Sequence, residues 1–213
     1  MAKKIENEFK HLWKVTTTSR LGDMMFNVSD ERVFPVLKGI HLSREAKIID
    51  VGCASGRTLQ FFRSNGFQNS VGVDVSRDSI KMCNNKGFET GKDVFLSNIT
   101  ENKFKASSFD LVFAEGLLEH FKDMQPVVDA MCRLSKNYVL ILQPNHTSIS
   151  LRRYVYRFLE ISYIVAMRRT FVYEIPYTVK DYENAFEKAG FKLVKSFDLV
   201  MKSGWGLLFK KVN

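Results

Sequence analysis

The sequence predicts a doubly wound α/β fold, in which helices cover both faces of a mostly parallel β-sheet. From Lys47 onward, short β-branched runs alternate with helical stretches, which is the pattern of parallel βαβ units. The first run ends in a turn with a small residue at every second position, where the backbone can approach a ligand closely. A chain of 213 residues with 45% hydrophobic content is large enough to bury the core of one domain.

The elements of the core follow from these patterns in order. Five strands are predicted near residues 47–51, 70–74, 92–97, 109–114 and 137–142. Helices are predicted near residues 56–65, 76–87 and 123–135. Pro126 lies in the first turn of the last helix, where its missing N–H costs little. Right-handed crossovers place the helices on both faces, and ligands of such sheets bind beyond the carboxyl ends of the strands.

The turn after the first strand distinguishes between two classes of ligand. It has small residues at Gly52, Ala54 and Gly56. The dinucleotide fingerprint G-x-G-x-x-G needs its third glycine one residue later than this. The strand also carries an acid, Asp50, whose carboxylate would repel a pyrophosphate but suits a cation or an amino group. The turn therefore disfavours an oxidoreductase that binds a dinucleotide.

The second predicted strand also ends in an acid, Asp74. A carboxylate at this strand tip can accept hydrogen bonds from both hydroxyls of a ribose. Alternatively, Asp74 and Ser76 only cap the helix that begins at Arg77. We expect Ser76 to cap that helix, and we expect Asp74, at the strand tip and outside the core, to bind the ribose of an adenosine.

Two further stretches continue the series along the chain. The third strand leads into Asn98, whose side-chain oxygen can accept a hydrogen bond. The fourth strand opens with Phe109-Asp110-Leu111-Val112 and is followed by Glu115-Gly116-Leu117-Leu118-Glu119-His120-Phe121. Four ordered motifs over residues 47–121 are far more specific than any one of them.

Together these motifs resemble those of the class I (Rossmann-like) S-adenosylmethionine (SAM) dependent methyltransferases, in particular the small-molecule type-11/type-25 group. Ala54 replaces the usual middle glycine, and Asn98 replaces the usual aspartate, which weakens the expected adenine contact. The resemblance implies SAM as cofactor, S-adenosylhomocysteine (SAH) as product, and a seven-stranded sheet with an antiparallel last strand. The residues implied in cofactor binding are Asp50, Gly52, Cys53, Ala54, Gly56, Asp74, Val75, Asn98, Ile99 and Glu115.

The chain is expected to form a single methyltransferase domain over residues 1–213. Its predicted parts are an N-terminal helical cap (1–46), a cofactor-binding core (47–144), an inserted helical acceptor cap (145–177) and a closing helix and hairpin (178–213). Thr178 and Asp181 form a capping box ahead of the closing helix, which Gly190 ends. The strand pair over 191–200 and 205–212 resembles the end of the family's sheet.

The segment over residues 148–170 combines arginines with aromatic residues above the expected methyl group. Arginine suits phosphate or carboxylate recognition, and aromatic rings suit an apolar acceptor or a membrane interface. We therefore expect Arg153, Tyr154 and Arg157 to bind the acceptor. An ordinary packed helix with solvated arginines is the alternative.

Methyl transfer from a sulfonium is an in-line displacement for which the cofactor supplies the reactive group. The protein must orient the acceptor, exclude water and take up a proton if the nucleophile arrives protonated. A catalytic triad or a metal is therefore not required, and the three cysteines show no zinc-binding spacing. The candidates for a proton acceptor are Glu115, His120 and His146.

A small-molecule or lipid-like acceptor is favoured, with an RNA methyltransferase or a catalytically silent SAM-binding protein as alternatives. Nucleic acid is the less favoured partner because residues 114–117 (Ala-Glu-Gly-Leu) lack the Asn/Asp-Pro-Pro-aromatic turn with which the family methylates nitrogen bases. A net charge of +9 also permits an anionic membrane surface as partner. No apolar run is long enough to span a bilayer, so we expect a cytoplasmic protein, with peripheral membrane association left open.

Overall fold

A seven-stranded sheet forms the centre of the molecule, with the strand order β3-β2-β1-β4-β5-β7-β6. The computed structural model describes residues 33–145, 174–199 and 204–212. Six strands run parallel, and β7 lies antiparallel between β5 and β6, which confirms the predicted fold class. The strands are β1 (Ile48–Val51), β2 (Ser70–Asp74), β3 (Val94–Leu96), β4 (Phe109–Glu115), β5 (Ser135–Pro144), β6 (Phe191–Asp198) and β7 (Gly204–Lys211).

The helices begin where local sequence signals predict. They are α1 (described over 33–39), α2 (Arg57–Ser64), α3 (Arg77–Asn85), α4 (Gln125–Leu134) and α5 (Val179–Lys188), with 3-10 turns at Ile99–Glu101 and Leu118–His120. The Ser76 side chain accepts a hydrogen bond from Ser79 N and caps α3. Pro126 stands in the first turn of α4, and Thr178 closes its capping box with Asp181. These three predictions are confirmed because each depends only on residues within one turn.

Two strands differ in length from their predictions by more than two residues. Strand β3 has three residues instead of six, because the Asp93 side chain accepts a hydrogen bond from Glu89 N and folds the preceding residues into a turn. Strand β5 is longer than predicted, because it pairs with β7 from Tyr138 to Pro144.

The sheet buries a different set of apolar side chains on each face. Ile49, Val112 and Ile141 pack with α4 and α5, whereas Ile48 and Phe113 pack with α1 and α2. Successive residues of a strand point to opposite faces, so both faces of the central strands are apolar. Helices therefore cover both sides of the sheet, as expected for a doubly wound fold.

Several predicted parts lie outside the described residues. They include most of the N-terminal cap and of the inserted segment, with His146, Arg153, Tyr154 and Arg157. The division of the chain into these parts therefore stays a prediction. Among the helices that the structure describes, none is long and apolar enough to cross a bilayer.

The pairing of β6 with β7 places the ring of Phe197 opposite Gly206. A Cβ at position 206 would overlap this ring. We therefore expect Gly206→Ala to lower the free energy of unfolding in urea by about 1–3 kcal/mol, the usual cost of overpacking. Gly39→Ala is the matched control, because a Cβ at this position in α1 would meet no other atom within 4 Å. The Gly206→Ala loss should shrink in a Phe197→Ala background, and an equal loss there would refute the overlap as its cause.

Candidate functional site

The acids predicted to bind a cofactor meet at one edge of the sheet. Asp50 lies in β1, Asp74 ends β2 and Glu115 ends β4. Because β2, β1 and β4 are neighbours and parallel, their carboxyl ends come together at this edge. The structure thus places these three residues and the turn over residues 52–56 in one region.

The turn over residues 52–56 adopts a backbone that favours small side chains. Gly52, Ala54 and Gly56 have φ angles of 76°, 46° and 74°, all in the left-handed region. The turn is tied to β2 by Gly52 N and Cys53 N, which donate to Val73 O at 2.8 and 3.2 Å. Ala54 holds a conformation that costs an L-residue about 1–2 kcal/mol, which explains why glycine usually stands at this position in the family.

Asp74 anchors this turn and is buried. Its carboxylate accepts hydrogen bonds from Ala54 N at 3.0 Å and from Ser76 N at 2.8 Å. Burial raises the pKa of Asp74, although the N–H groups of Ser76 and Ala54 act in the opposite direction. The expectation that Asp74 lies outside the core is therefore wrong. The carboxylate does organise the start of α3, and its binding of a ribose stays a prediction.

A partly buried ion pair crosses the same edge. Arg57, the first residue of α2, contacts the Glu115 carboxylate through its guanidinium group. The acids and the guanidinium fit the charges of SAM, which carries an ammonium group, a sulfonium and a carboxylate. Because Glu115 already faces a guanidinium, it is less suited than His120 to accept a proton.

The remaining predicted cofactor residues differ in their hydrogen bonds and in their burial. Asn98 caps the 3-10 turn that follows β3, and its side-chain oxygen accepts from Thr100 N at 3.1 Å. An amide oxygen has two lone pairs, so a second hydrogen bond to this oxygen remains feasible. Cys53 and Ile99 are buried in the core, and Val75 is partly exposed just after β2.

The structure adds Glu119, which the sequence analysis quoted within a motif but did not select. Glu119 is 2% exposed, and its carboxylate lies 3.9 Å from His120 Nε2. Burial, reinforced by Glu174 and Glu115, raises the pKa of Glu119 to about 8. An acid directly before a candidate histidine was the available signal, but its burial was not visible in the sequence.

Metal binding finds no support in the part of the chain that the structure describes. Over residues 33–145, 174–199 and 204–212, no group of three or more His, Cys, Asp or Glu side chains is arranged to hold a metal ion.

Comparison with known proteins identifies a family and several relatives. Residues 30–196 match the family described as a methyltransferase domain. A ubiquinone biosynthesis O-methyltransferase of Thiobacillus denitrificans is 32% identical over 93 residues, which cover 42% of this chain and 40% of that protein. A protein-lysine N-methyltransferase of Saccharomyces cerevisiae is 28% identical over 109 residues, which cover 46% of this chain and 48% of that protein. The chain thus covers less than half the length of these two relatives.

A solved structure shares the fold described above. The crystal structure of magnesium protoporphyrin IX methyltransferase from Synechocystis PCC 6803, with bound SAH, superposes with a TM-score of 0.72. The sequence identity is 11%, and the match covers 100% of both chains.

The two hydrogen bonds to Asp74 predict a loss of stability when its carboxylate is removed. Asp74→Ala should lower the free energy of unfolding of the ligand-free protein by about 1–3 kcal/mol, because the buried N–H groups of Ala54 and Ser76 lose their acceptor. Urea unfolding measures this loss. Asp78→Ala, in the first turn of α3, is the control and should cost at most about 0.5 kcal/mol. Equal stabilities of the two variants would contradict the anchoring role of Asp74.

Proposed function

We propose that this chain, which belongs to the methyltransferase domain family and uses S-adenosylmethionine, transfers the methyl group to a small-molecule or lipid-like acceptor. The main support is the meeting of Asp50, Asp74 and Glu115 around the left-handed turn at the carboxyl edge. A small acceptor is favoured over a nucleic acid because residues 114–117 lack the family's base-methylating turn.

Most of the predicted cofactor residues are assigned to a particular part of the SAM molecule. The backbone of the turn and Asp50 hold the amino-acid part of SAM, and Asp74 accepts from its ribose. Asn98 accepts from the adenine amino group, while Val75 and Ile99 flank the base. Because the Cys53 thiol is buried in the core, only the main chain of Cys53 faces the cofactor.

The remaining chemistry falls to the chain's own residues. When bound, SAM supplies an activated methyl group on a sulfonium. The protein then orients the acceptor, excludes water and provides a place for a proton. Of the predicted candidates, His120 follows β4 beside the buried Glu119 carboxylate, so the proton is taken up at this pair rather than at the ion-paired Glu115. His146 stays a candidate from the sequence.

Calorimetry tests the cofactor assignment. SAM and SAH should bind, whereas NAD should bind far more weakly, because Asp50 would repel a pyrophosphate. Asp74→Ala should lower the affinity for SAH about tenfold to a hundredfold, since a hydrogen bond to a charged acceptor contributes about 1.5–3 kcal/mol.

A second ligand separates the ribose contact of Asp74 from its anchoring of the turn. An SAH analogue without the ribose 2′-hydroxyl should bind the wild type more weakly than SAH does. In Asp74→Ala the two ligands should bind alike. Tighter binding of NAD than of SAH would refute the cofactor assignment, and an unchanged preference for SAH in the variant would leave Asp74 with its anchoring role alone.

The arginines of the inserted segment test the acceptor class. Replacing Arg153 and Arg157 by Ala should preserve SAH affinity but weaken binding to anionic liposomes, because each basic side chain near such a surface contributes about 1 kcal/mol. Replacing Lys188 and Lys192 is the matched control, since both are exposed near the opposite edge of the sheet. Sedimentation with liposomes measures binding, and transfer of labelled methyl groups to a metabolite extract measures turnover. Equal behaviour of the two double variants would refute the acceptor role of the segment.

A further inference from the structure

The predicted cofactor residues meet at the carboxyl edge of the sheet, which we call the cofactor edge. A second group of polar side chains lies near this edge, on the face of the sheet that packs against α5. Gln143 continues the face of β5 formed by Val139 and Ile141, which belong to the cluster packed with α4 and α5. Gly116 follows the end of β4 and is bonded to β5, with its N–H donating to Leu142 O at 2.9 Å. By the alternation of strand residues, positions 116 and 143 face the same side of the sheet.

The Glu119 carboxylate packs against Gly116. A Cβ at position 116 would lie 3.4 Å from Glu119 Oε1, which is an ordinary van der Waals contact. The same carboxylate contributes to the raised pKa of Tyr182 in α5, so it lies on the α5 side of the sheet. The chain returning from the inserted segment closes over this point, since Ile175 N donates to Glu119 O at 2.8 Å.

Tyr182 of α5 fixes the orientation of the Gln143 amide. Burial, with the nearby Glu119 carboxylate, raises the pKa of Tyr182, so its hydroxyl keeps its proton and donates to Gln143 Oε1 at 3.4 Å. This leaves the amide Nε2 of Gln143 to serve another acceptor. Both Tyr182 and Gln143 are buried.

Two buried polar atoms of this group lack a hydrogen bond. Among the described residues, neither Glu119 Oε2 nor Gln143 Nε2 finds a partner. Unpaired polar atoms of this kind are costly in a protein interior. Glu119 and Gln143 both lie near Tyr182, so one ligand group bound there could pair with both atoms. A hydroxyl group matches both atoms at once, because it can donate its proton to a carboxylate and accept from an amide N–H.

We propose that Glu119 and Gln143 bind the hydroxyl group of the acceptor and that the protein is an O-methyltransferase. This inference rests on the proposed function and names the acceptor atom at the same site. In the reaction, the acceptor oxygen forms a bond to the methyl carbon, the carbon–sulfur bond breaks with its electron pair on sulfur, and the hydroxyl proton goes to Glu119 Oε2. The Gln143 Nε2 amide donates a hydrogen bond to the other lone pair of the acceptor oxygen.

The ionisation of Glu119 selects among hydroxyl compounds. A base whose pKa is about 8 is well matched to a phenol-like hydroxyl, whose pKa is near 10, and poorly matched to an aliphatic alcohol. Other ionisable groups near Glu119 are Glu115, Glu174, His120 and Tyr182. A phenol-like hydroxyl is therefore a suitable probe of this site.

A fluorescence titration with 2-naphthol tests the site without knowledge of the natural acceptor. The matched ligand is 2-methoxynaphthalene, which lacks the hydroxyl proton. In the presence of saturating SAH, the wild type should prefer 2-naphthol at least about tenfold, the effect of one hydrogen bond to a charged group. Because the pKa of Glu119 is about 8, this preference should grow as the pH rises through that value and the carboxylate loses its proton.

Variants assign the preference to the two side chains. Glu119→Gln should abolish both the preference and its pH dependence, and Gln143→Leu should reduce the preference. SAH affinity, measured by calorimetry, should be unchanged in both. Glu187→Gln, which changes an exposed acid of α5, is the control and should behave as the wild type.

The outcomes separate the two proposals. If the wild type fails to bind SAH, the proposed function itself fails. If it binds SAH but shows no preference for 2-naphthol, or no pH dependence near 8, the hydroxyl site is refuted without any variant. A preference that survives in both Glu119→Gln and Gln143→Leu also overturns the proposal.

Discussion

The hydrogen bonds to the Asp74 carboxylate hold the cofactor edge together. One oxygen accepts from Ala54 N in the left-handed turn, and the other accepts from Ser76 N at the start of α3. The turn after β1, the end of β2 and the third helix therefore share one buried anchor. Because burial disfavours the charge, the N–H groups are needed to keep a carboxylate there. The proposed ribose contact of Asp74 would couple cofactor binding to the stability of the fold.

Two acids that follow the same strand have different environments because the strand has two faces. The Glu115 side chain points to the face opposite that of Ala114, because successive strand residues alternate between faces. It therefore lies on the α2 side, where it contacts Arg57. The Glu119 carboxylate lies near Tyr182 on the α5 side, and its burial, reinforced by the charges of Glu174 and Glu115, raises its pKa to about 8. Environment divides such acids between an ion-paired and a proton-accepting role. The fold thus separates an ion-paired acid on one side of β4 from a buried acid on the other.

Features that depend on neighbouring residues were predictable from the sequence. The alternation of strands and helices, the Ser76 cap, the position of Pro126 and the Thr178 capping box are all present in the structure. Each depends on residues that are close to one another in the sequence, so the local sequence is enough to predict it. The turn over residues 52–56 is in this class too, because its small residues are required by its own left-handed backbone.

Features that depend on packing were decided only by the tertiary structure. Asp74 was expected outside the core but is buried, because Ala54 and Ser76 enclose its carboxylate from both sides along the chain. Glu119 and Gln143 both lie near Tyr182, because β5 pairs with β4 and α5 packs against the same face of the sheet. The sequence by itself determined the order of elements and the type of cofactor. The burial of Glu119, its raised pKa and its proximity to Tyr182 were decided by the tertiary structure, because a side chain is desolvated only once the chain has packed around it.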